Sequence, residues 1–381
     1  MLIIVSHVVD IKQFSREDFE RLFNFTQKLD EINITNSGIA VLLFFEPSTR
    51  TRGSFEVAAS RNGLQSVHSA DPRTSSVAKG ESLHDTLTMM AGYEPSIVVM
   101  RHPQAGSSRF GSQILDRYGI PLINGGDDGH QHPTQALLDL YTIRQAYDRI
   151  DGLNIAFMGD HKHGRTASSL AEGLACFDGV HLYFIGPNDL QMTHRPEILR
   201  YLREKGIPFD LLQTTDGVLP ELDVLYVTRV QKERFDDPSE YEAVTRTYVV
   251  DKKFLSRAKG ELIVMHPLPR VNEIHPEIDD TCYNWYFRQA ANGLPVRTVL
   301  IHLLTSGHLQ LESYGFGNET GYECLNPRCI THGDSPERQR GFVQPRLRLL
   351  SDELVQCTYC DRLQTRSREP YQWDGELTCI N

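Results

Sequence analysis

Apolar and polar positions along the chain alternate between two periods. Short branched runs recur at 39–45 (Ile-Ala-Val-Leu-Leu-Phe-Phe), 96–100 (Ser-Ile-Val-Val-Met) and 121–123 (Pro-Leu-Ile). Between and around them, helical periodicity covers 15–31, 81–92 and 132–147. The alternation resumes near Gly152, with runs at 154–158, 181–185, 224–227 and 262–265, and a helix from about Arg165. A long, mostly apolar helix over 284–310 closes this second part and is expected to pack back across the domains. Buried strands alternating with amphipathic helices predict α/β architecture: two doubly wound parallel-sheet domains, at 1–150 and 151–290. The glycine-bearing stretch 311–323 reads as a linker, after which arginine, proline and cysteine mark a small separate module at 324–381.

Turn residues close many of the strands, and ligands of open α/β sheets bind at those ends. The run 39–45 enters Glu46, Pro47, Ser48, Thr49, Arg50, Thr51 and Arg52 and then a helix beginning near Gly53. The first amides of a helix lack internal partners and lie at the positive end of its dipole. Hydroxyls and two arginines there make a phosphate site. An ordinary N-cap is the bland alternative, but it needs one hydroxyl and no guanidinium. Arg101 follows the run 96–100, while His132 and Gln135 open the helix at 132–147, so strand ends deliver them to the same rim. Arg101 and His132 suit the stabilisation of a developing oxyanion. In the second part, Arg165, Arg229 and Gln231 follow strands. Two arginine forks facing one crevice match a small dicarboxylate, whereas Lys232 and Arg234 read as solvated loop charges. The polar stretch 71–81 is a mobile-loop candidate whose Lys79 can reach an anion.

Composition narrows this picture. The net charge of −11 argues against general nucleic-acid binding and makes local arginine clusters stand out. No apolar run has the length of a membrane span. The opening residues 1–5 carry no basic leader, so a cytoplasmic compartment is expected. Of seven cysteines, Cys324, Cys329, Cys357 and Cys360 form two pairs across a longer loop. That spacing suits a closed four-thiolate zinc site, structural and not catalytic. The metal would carry much of the folding of so small a segment. Cys176, Cys282 and Cys379 fall outside the pattern, and histidine pairs 130/132 and 161/163 lack carboxylates in ligand spacing.

Taken together, the Ser48–Thr49–Arg50–Thr51–Arg52 turn, Arg101-His102-Pro103-Gln104, His132-Pro133-Thr134-Gln135, Gly164-Arg165-Thr166, the stretch 228–234 and His266-Pro267-Leu268-Pro269-Arg270 resemble the aspartate carbamoyltransferases. The likeness runs from about Ile39 to His308. Ornithine-using relatives typically carry cysteine in the late His-x-Leu-Pro motif; Pro267 here, with Arg229 and Gln231, favours aspartate. The resemblance implies transfer of a carbamoyl group from carbamoyl phosphate to L-aspartate, early in pyrimidine synthesis, with no catalytic cofactor. It implies that Ser48, Thr49, Arg50 and Thr51 hold phosphate and that Thr51, Arg101 and His132 polarise the carbamoyl oxygen. Gln135 and the carbonyls of Leu268 and Pro269 would hold the carbamoyl amine. Arg165, Arg229 and Gln231 would bind aspartate, joined by Ser75 and Lys79 from a neighbouring copy, which makes a homotrimer obligatory. Ala78 stands where some relatives have a second lysine.

The tail resembles the zinc domain of the family's separate regulatory chain, without room for that chain's nucleotide-binding half. One structural zinc per chain, stabilisation of the assembly in cis and little direct nucleotide control are the expectations. A higher assembly through the zinc module stays open. Two other readings remain: a carbamoyltransferase for another amine, and a non-catalytic zinc-bearing scaffold.

Overall fold

A computed structural model describes residues 6–34, 36–68, 79–230, 248–317 and 322–373. The chain divides into two compact units. Among the described residues, one comprises those from 6 to 134 and from 293 to 371; the other comprises those from 135 to 292 with 372 and 373.

The first unit is built on four parallel strands: β1 (Gly38–Phe44), β2 (Leu64–His68), β3 (Ile97–His102) and β4 (Leu122–Asp127), in the order β2-β1-β3-β4. Helices α1 (Arg16–Gln27), α2 (Thr49–Arg61), α3 (Leu83–Ala91) and α4 (Ser107–Leu115) belong to the same unit. Central strands β1 and β3 are buried over nearly their whole length, as their continuous branched runs require. Edge strand β2 exposes its second and last residues and carries only two aliphatic side chains, so it gives no apolar run to read. At the other edge, β4 continues through Asn124, Gly125 and Gly126 to Asp127, four residues beyond the apolar run that marks it.

Five parallel strands carry the second unit: β5 (Asn154–Met158), β6 (His181–Ile185), β7 (Phe209–Leu212), β8 (Val224–Val227) and β9 (Ile263–Met265), ordered β7-β6-β5-β8-β9. Helix α5 (Pro133–Tyr147) has all but its first two residues there, and α6 (Arg165–Leu174), α7 (Pro196–Glu204) and the single turn α8 (Lys252–Leu255) complete it. Stacked Phe157 and Phe184, 5.3 Å between centroids, bridge adjacent strands β5 and β6 on a buried face. The long helix α9 runs Tyr286–Thr305. Its start serves the second unit, where Gln289 Nε2 donates to Asp139 Oδ1 at 2.6 Å. Its later part serves the first, where Arg297 Nη1 donates to Ser54 Oγ at 2.8 Å.

The tail forms an antiparallel sheet of β10 (Leu347–Leu349), β11 (Leu354–Cys357) and β12 (Leu363–Thr365), with a short helix α10 (Pro336–Gln339). Composition sets this tail apart from the rest, yet it does not stand apart. Cys324, Cys329, Cys357, Cys360, Ile330, Val343 and Tyr359 share one apolar core with Val9, Leu43, Met100, Phe110 and Leu122 of the first unit. The glycine-bearing stretch that reads as a linker is likewise engaged over its described part. Tyr314 and Phe316 pack against that core, and the Arg109 guanidinium lies 3.7 Å above the Tyr314 ring. At Gly106 the tail comes so close that a Cβ would stand 2.6 Å from the Tyr359 carbonyl oxygen; with φ at +81°, only glycine fits.

Candidate functional site

The strand register of the first unit sets its candidate residues side by side. Phe44 of β1 pairs with Arg101 of β3, and the Phe45 amide donates to the Arg101 carbonyl at 2.9 Å. The chain therefore turns into α2 directly beside Arg101. Ser48 is the N-cap of α2 with extended backbone, but its hydroxyl makes no capping bond. Elsewhere Ser15 and Ser82 do close their helices, accepting from Asp18 and Asp85 amides. An N-terminus of thirteen residues' helix left uncapped by its own serine has donors available to an anion. Thr51 is buried, and Thr49 and Arg50 are exposed at the same turn. Arg52, the second arginine of the turn, is committed to Glu56 one helical turn on, at 2.8 Å.

Arg101 itself is mostly covered, and its Nε donates to Glu46 Oε2 at 3.2 Å. Glu46 escapes a reading by residue type, because a carboxylate opposes the anion-binding logic of the turn. Arg297 escapes it too, as a nearly buried cation inside an apolar helix; its Nη2 reaches Thr134 Oγ1 at 3.4 Å. Next to Arg101, burial depresses His102 to about 4, and its neutral Nδ1 accepts the Gln104 amide at 3.1 Å. His132 is buried at the mouth of α5.

The turn before His132 is tied down by Asp127, which is fully buried. Its carboxylate accepts from the Gln131 amide at 3.0 Å, Asn124 Nδ2 at 2.9 Å and the Gly106 amide at 2.7 Å. It also faces His130 Nδ1 at 2.9 Å. Burial opposes charge on His130, but Asp127 outweighs it with help from Asp361, and the imidazole is pushed up to about 10. Both ring nitrogens of His130 thus face carboxylates, Asp127 at 2.9 Å and Asp361 at 3.2 Å.

In the second unit, Arg165 is the first residue of α6 and Arg229 follows the end of β8. Gln135, in the first turn of α5, donates to Asp139 Oδ1 at 2.9 Å. The segment after β9 turns sharply: the Leu268–Pro269 peptide is cis and Leu268 has φ of +52°. Left-handed backbone at a leucine is uncommon and is held only where the surroundings fix it. Here the Leu268 amide donates to His266 Nδ1 at 2.8 Å, His266 Nε2 meets Glu273 at 2.8 Å, and the His266 amide donates to Gln289 at 2.8 Å. Of the histidines at 161 and 163, the first reaches the Ile185 carbonyl at 3.1 Å and is held near 4 by burial, and the second rests on Asp160. Ser75 and Gln231 lie outside the described residues, as do Ala78, Lys232, Arg234 and Cys379; Lys79 is described.

The turn after β5 depends on Gly159. Its φ is +128°, and a Cβ would stand 2.3 Å from the Thr228 carbonyl oxygen, next to Arg229. Gly159→Ala is expected to lower unfolding free energy by about 2 kcal/mol through overpacking and backbone strain, read from urea denaturation; an unchanged midpoint would contradict this close approach.

In the tail, the Sγ atoms of Cys324, Cys329, Cys357 and Cys360 are buried and all lie within 4.8 Å of one another. Cys324 to Cys360 is 3.6 Å and Cys329 to Cys357 is 3.8 Å. Four sulfurs around a tetrahedral ion, with bonds of about 2.3 Å, stand about 3.8 Å apart. The donor set therefore fits a closed metal site, and no other such group occurs among the described residues.

Comparison with known proteins agrees with this division of labour. Residues 6–145 match the family described as aspartate/ornithine carbamoyltransferase, carbamoyl-P binding domain, and residues 151–304 match its Asp/Orn binding domain. Residues 320–369 match the metal binding domain of the aspartate carbamoyltransferase regulatory chain. The chain is 47% identical over 305 residues to the aspartate carbamoyltransferase catalytic subunit of Thermococcus kodakarensis, covering 78% of this chain and 96% of the relative. It is 38% identical over 370 residues to that of Brachyspira hyodysenteriae, and there the similarity covers 93% of this chain and 98% of the relative. The solved catalytic subunit from M. jannaschii superposes with a TM-score of 0.72 at 41% identity, over 79% of this chain and 98% of that one. No helix among the described residues is long and apolar enough to cross a membrane.

Proposed function

The chain belongs to the aspartate carbamoyltransferase family, and from that premise we propose how its residues divide the work of transferring a carbamoyl group to L-aspartate. The observation that carries the proposal is the uncapped start of α2 set beside Arg101 by the β1–β3 register. Carbamoyl phosphate places its phosphate on Ser48, Thr49, Arg50 and Thr51. Its carbonyl oxygen takes hydrogen bonds from Thr51, Arg101 and His132, and its amine is held by Gln135 and the Leu268 and Pro269 carbonyls. Arg165, Arg229 and Gln231 hold the aspartate carboxylates, with Ser75 and Lys79 supplied by a neighbouring copy of a homotrimer. The uncharged α-amine attacks the carbamoyl carbon, the new C–N bond forms, and negative charge gathers on the oxygen. As the intermediate collapses, the C–O bond to phosphate breaks, and the proton lost by the amine passes to the departing phosphate. Both reactants are anions that repel, so positioning and charge stabilisation supply the rate.

Residues 1–150 would form the carbamoyl phosphate domain, 151–290 the aspartate domain and 324–381 the metal domain. Cys324, Cys329, Cys357 and Cys360 would hold one structural Zn2+ per chain, and the ion would supply cohesion to the tail and not chemistry. A cytoplasmic location accords with the biosynthetic reaction.

Steady-state assays with aspartate and ornithine as competing acceptors test the function. Carbamoylation of aspartate at least about 100-fold more efficient than that of ornithine is expected, since charged groups matched to two carboxylates reject a cationic side chain. Arg229→Ala should then raise KM for aspartate far more than KM for carbamoyl phosphate. Equal use of both amines would select the alternative of a different acceptor, and no turnover with either would select the silent scaffold.

A further inference from the structure

The metal knuckle meets the catalytic turn of its own chain at the surface, where Arg328 Nη1 donates to Asp128 Oδ1 at 2.9 Å, and inside the protein through the His130 imidazole. Asp361 directly follows the ligand Cys360, and its Oδ2 lies 3.2 Å from His130 Nε2. The other ring nitrogen of His130 meets Asp127 Oδ2 at 2.9 Å. Asp127 in turn receives the Gln131 amide at 3.0 Å and forms a bridge with Gln131 through the backbone. Gln131 is bonded to His132. All of these side chains are buried. Asp361 has other partners: Arg109 at 2.7 Å, Lys12 at 2.8 Å and the Tyr314 hydroxyl at 3.1 Å. Arg109 and Lys12 also pair with Asp10, so docking of the tail has anchors besides its link to the turn through His130.

We propose that His130 is a positioning residue, which carries the placement of the metal knuckle to His132 by bridging Asp361 and Asp127. The proposal rests on the carbonyl-polarising role assigned to His132 above. A buried imidazole gripped at both nitrogens by carboxylates cannot rotate or translate without losing one of them. The turn is thereby held from the tail side as well as from β4, and a shift at the knuckle reaches the residue that donates to the developing oxyanion. A purely structural ion pair would contribute stability without this effect on turnover.

Substitutions in the full-length, metal-loaded chain separate these roles. His130→Asn keeps a donor in the place of Nδ1 but no longer reaches Asp361; His130→Gln does the reverse. His130→Asn should lower kcat about fivefold with KM for carbamoyl phosphate little changed, a loss confined to the transition state. Asp361→Asn should act on kcat alike, and the double variant should be no worse than the poorer single one, because both cut the same link. Hydrogen exchange should show lost protection at 129–132 in both single variants. Lys12→Met removes another Asp361 contact and should leave that protection and kcat intact. Unaltered kcat in His130→Asn, or full additivity in the double variant, would overturn the proposal. If Asp361→Asn does not fold, His130→Asn with its exchange profile decides alone, since Arg109 and Lys12 keep Asp361 paired there. His132→Ala distinguishes the two levels: undiminished turnover in it overturns the site reading and not the link.

Discussion

Arg101→Ala will lower kcat by about 10²–10³, the range measured when a single oxyanion donor is removed from a preorganised site. Arg101 terminates β3, its backbone is locked to Phe45 of β1, and its guanidinium is mostly shielded from water. In such a place its charge acts through a low dielectric and needs no reorganisation as the transition state forms. KM for carbamoyl phosphate should rise as well, because the phosphate loses a neighbouring cation. Stability should change little, since the Glu46 left behind is partly exposed and can be rehydrated. Arg101→Lys is expected to recover only part of the rate, as an ammonium lacks the planar fork. Steady-state kinetics beside a urea titration checks all of this. Near-normal turnover in the folded alanine variant would remove Arg101 from the mechanism.

Stripping the metal should have the largest effect on the fold. Structural zinc contributes roughly 10–16 kcal/mol in isolated zinc-finger peptides at neutral pH. Here the four thiols are also part of the core that holds Leu43, Met100 and Phe110, so the damage should not stop at the tail. Chelation is expected to cost about 5 kcal/mol or more of unfolding free energy. Hydrogen-exchange protection should fall across the described tail, at 322–371, and at α4. Native mass spectrometry before and after chelation gives the stoichiometry, expected as one ion per chain. A chain that has demonstrably lost its metal but unfolds at the same midpoint would refute a structural role.

What could be read from residue order was the chemistry that is local in sequence. Two cysteine pairs, and a hydroxyl-rich turn between an apolar strand and a helix, declare themselves because each is made within a few residues. Central strands β1, β3, β5 and β8 are legible for the same reason: burial on both faces forces continuous apolar runs. Edge strands β2 and β7 are not, because one side of each meets solvent and their composition resembles a loop. Long-range pairing is the other blind spot. Arg109 looks like an ordinary helical cation among serines, yet it is fully buried and bonded to Asp10 and Asp361. Nothing near it in the chain announces a partner 252 residues away. His130 is hidden likewise, its two carboxylates coming from 3 and 231 residues away.

The tail's place in the core of the first unit has a consequence for behaviour under dilution. In a complex of separate chains, the fraction of catalytic subunits carrying a metal domain falls as concentration drops below the dissociation constant. Here both partners lie on one polypeptide, and their association is unimolecular, governed by effective and not bulk concentration. Ala105 hydrogen-bonds across to residues 328 and 330 at 2.8 and 3.0 Å whether the chain is abundant or scarce. The fused arrangement makes the stoichiometry of catalytic and metal domains a property of the gene, immune to the relative expression of two subunits.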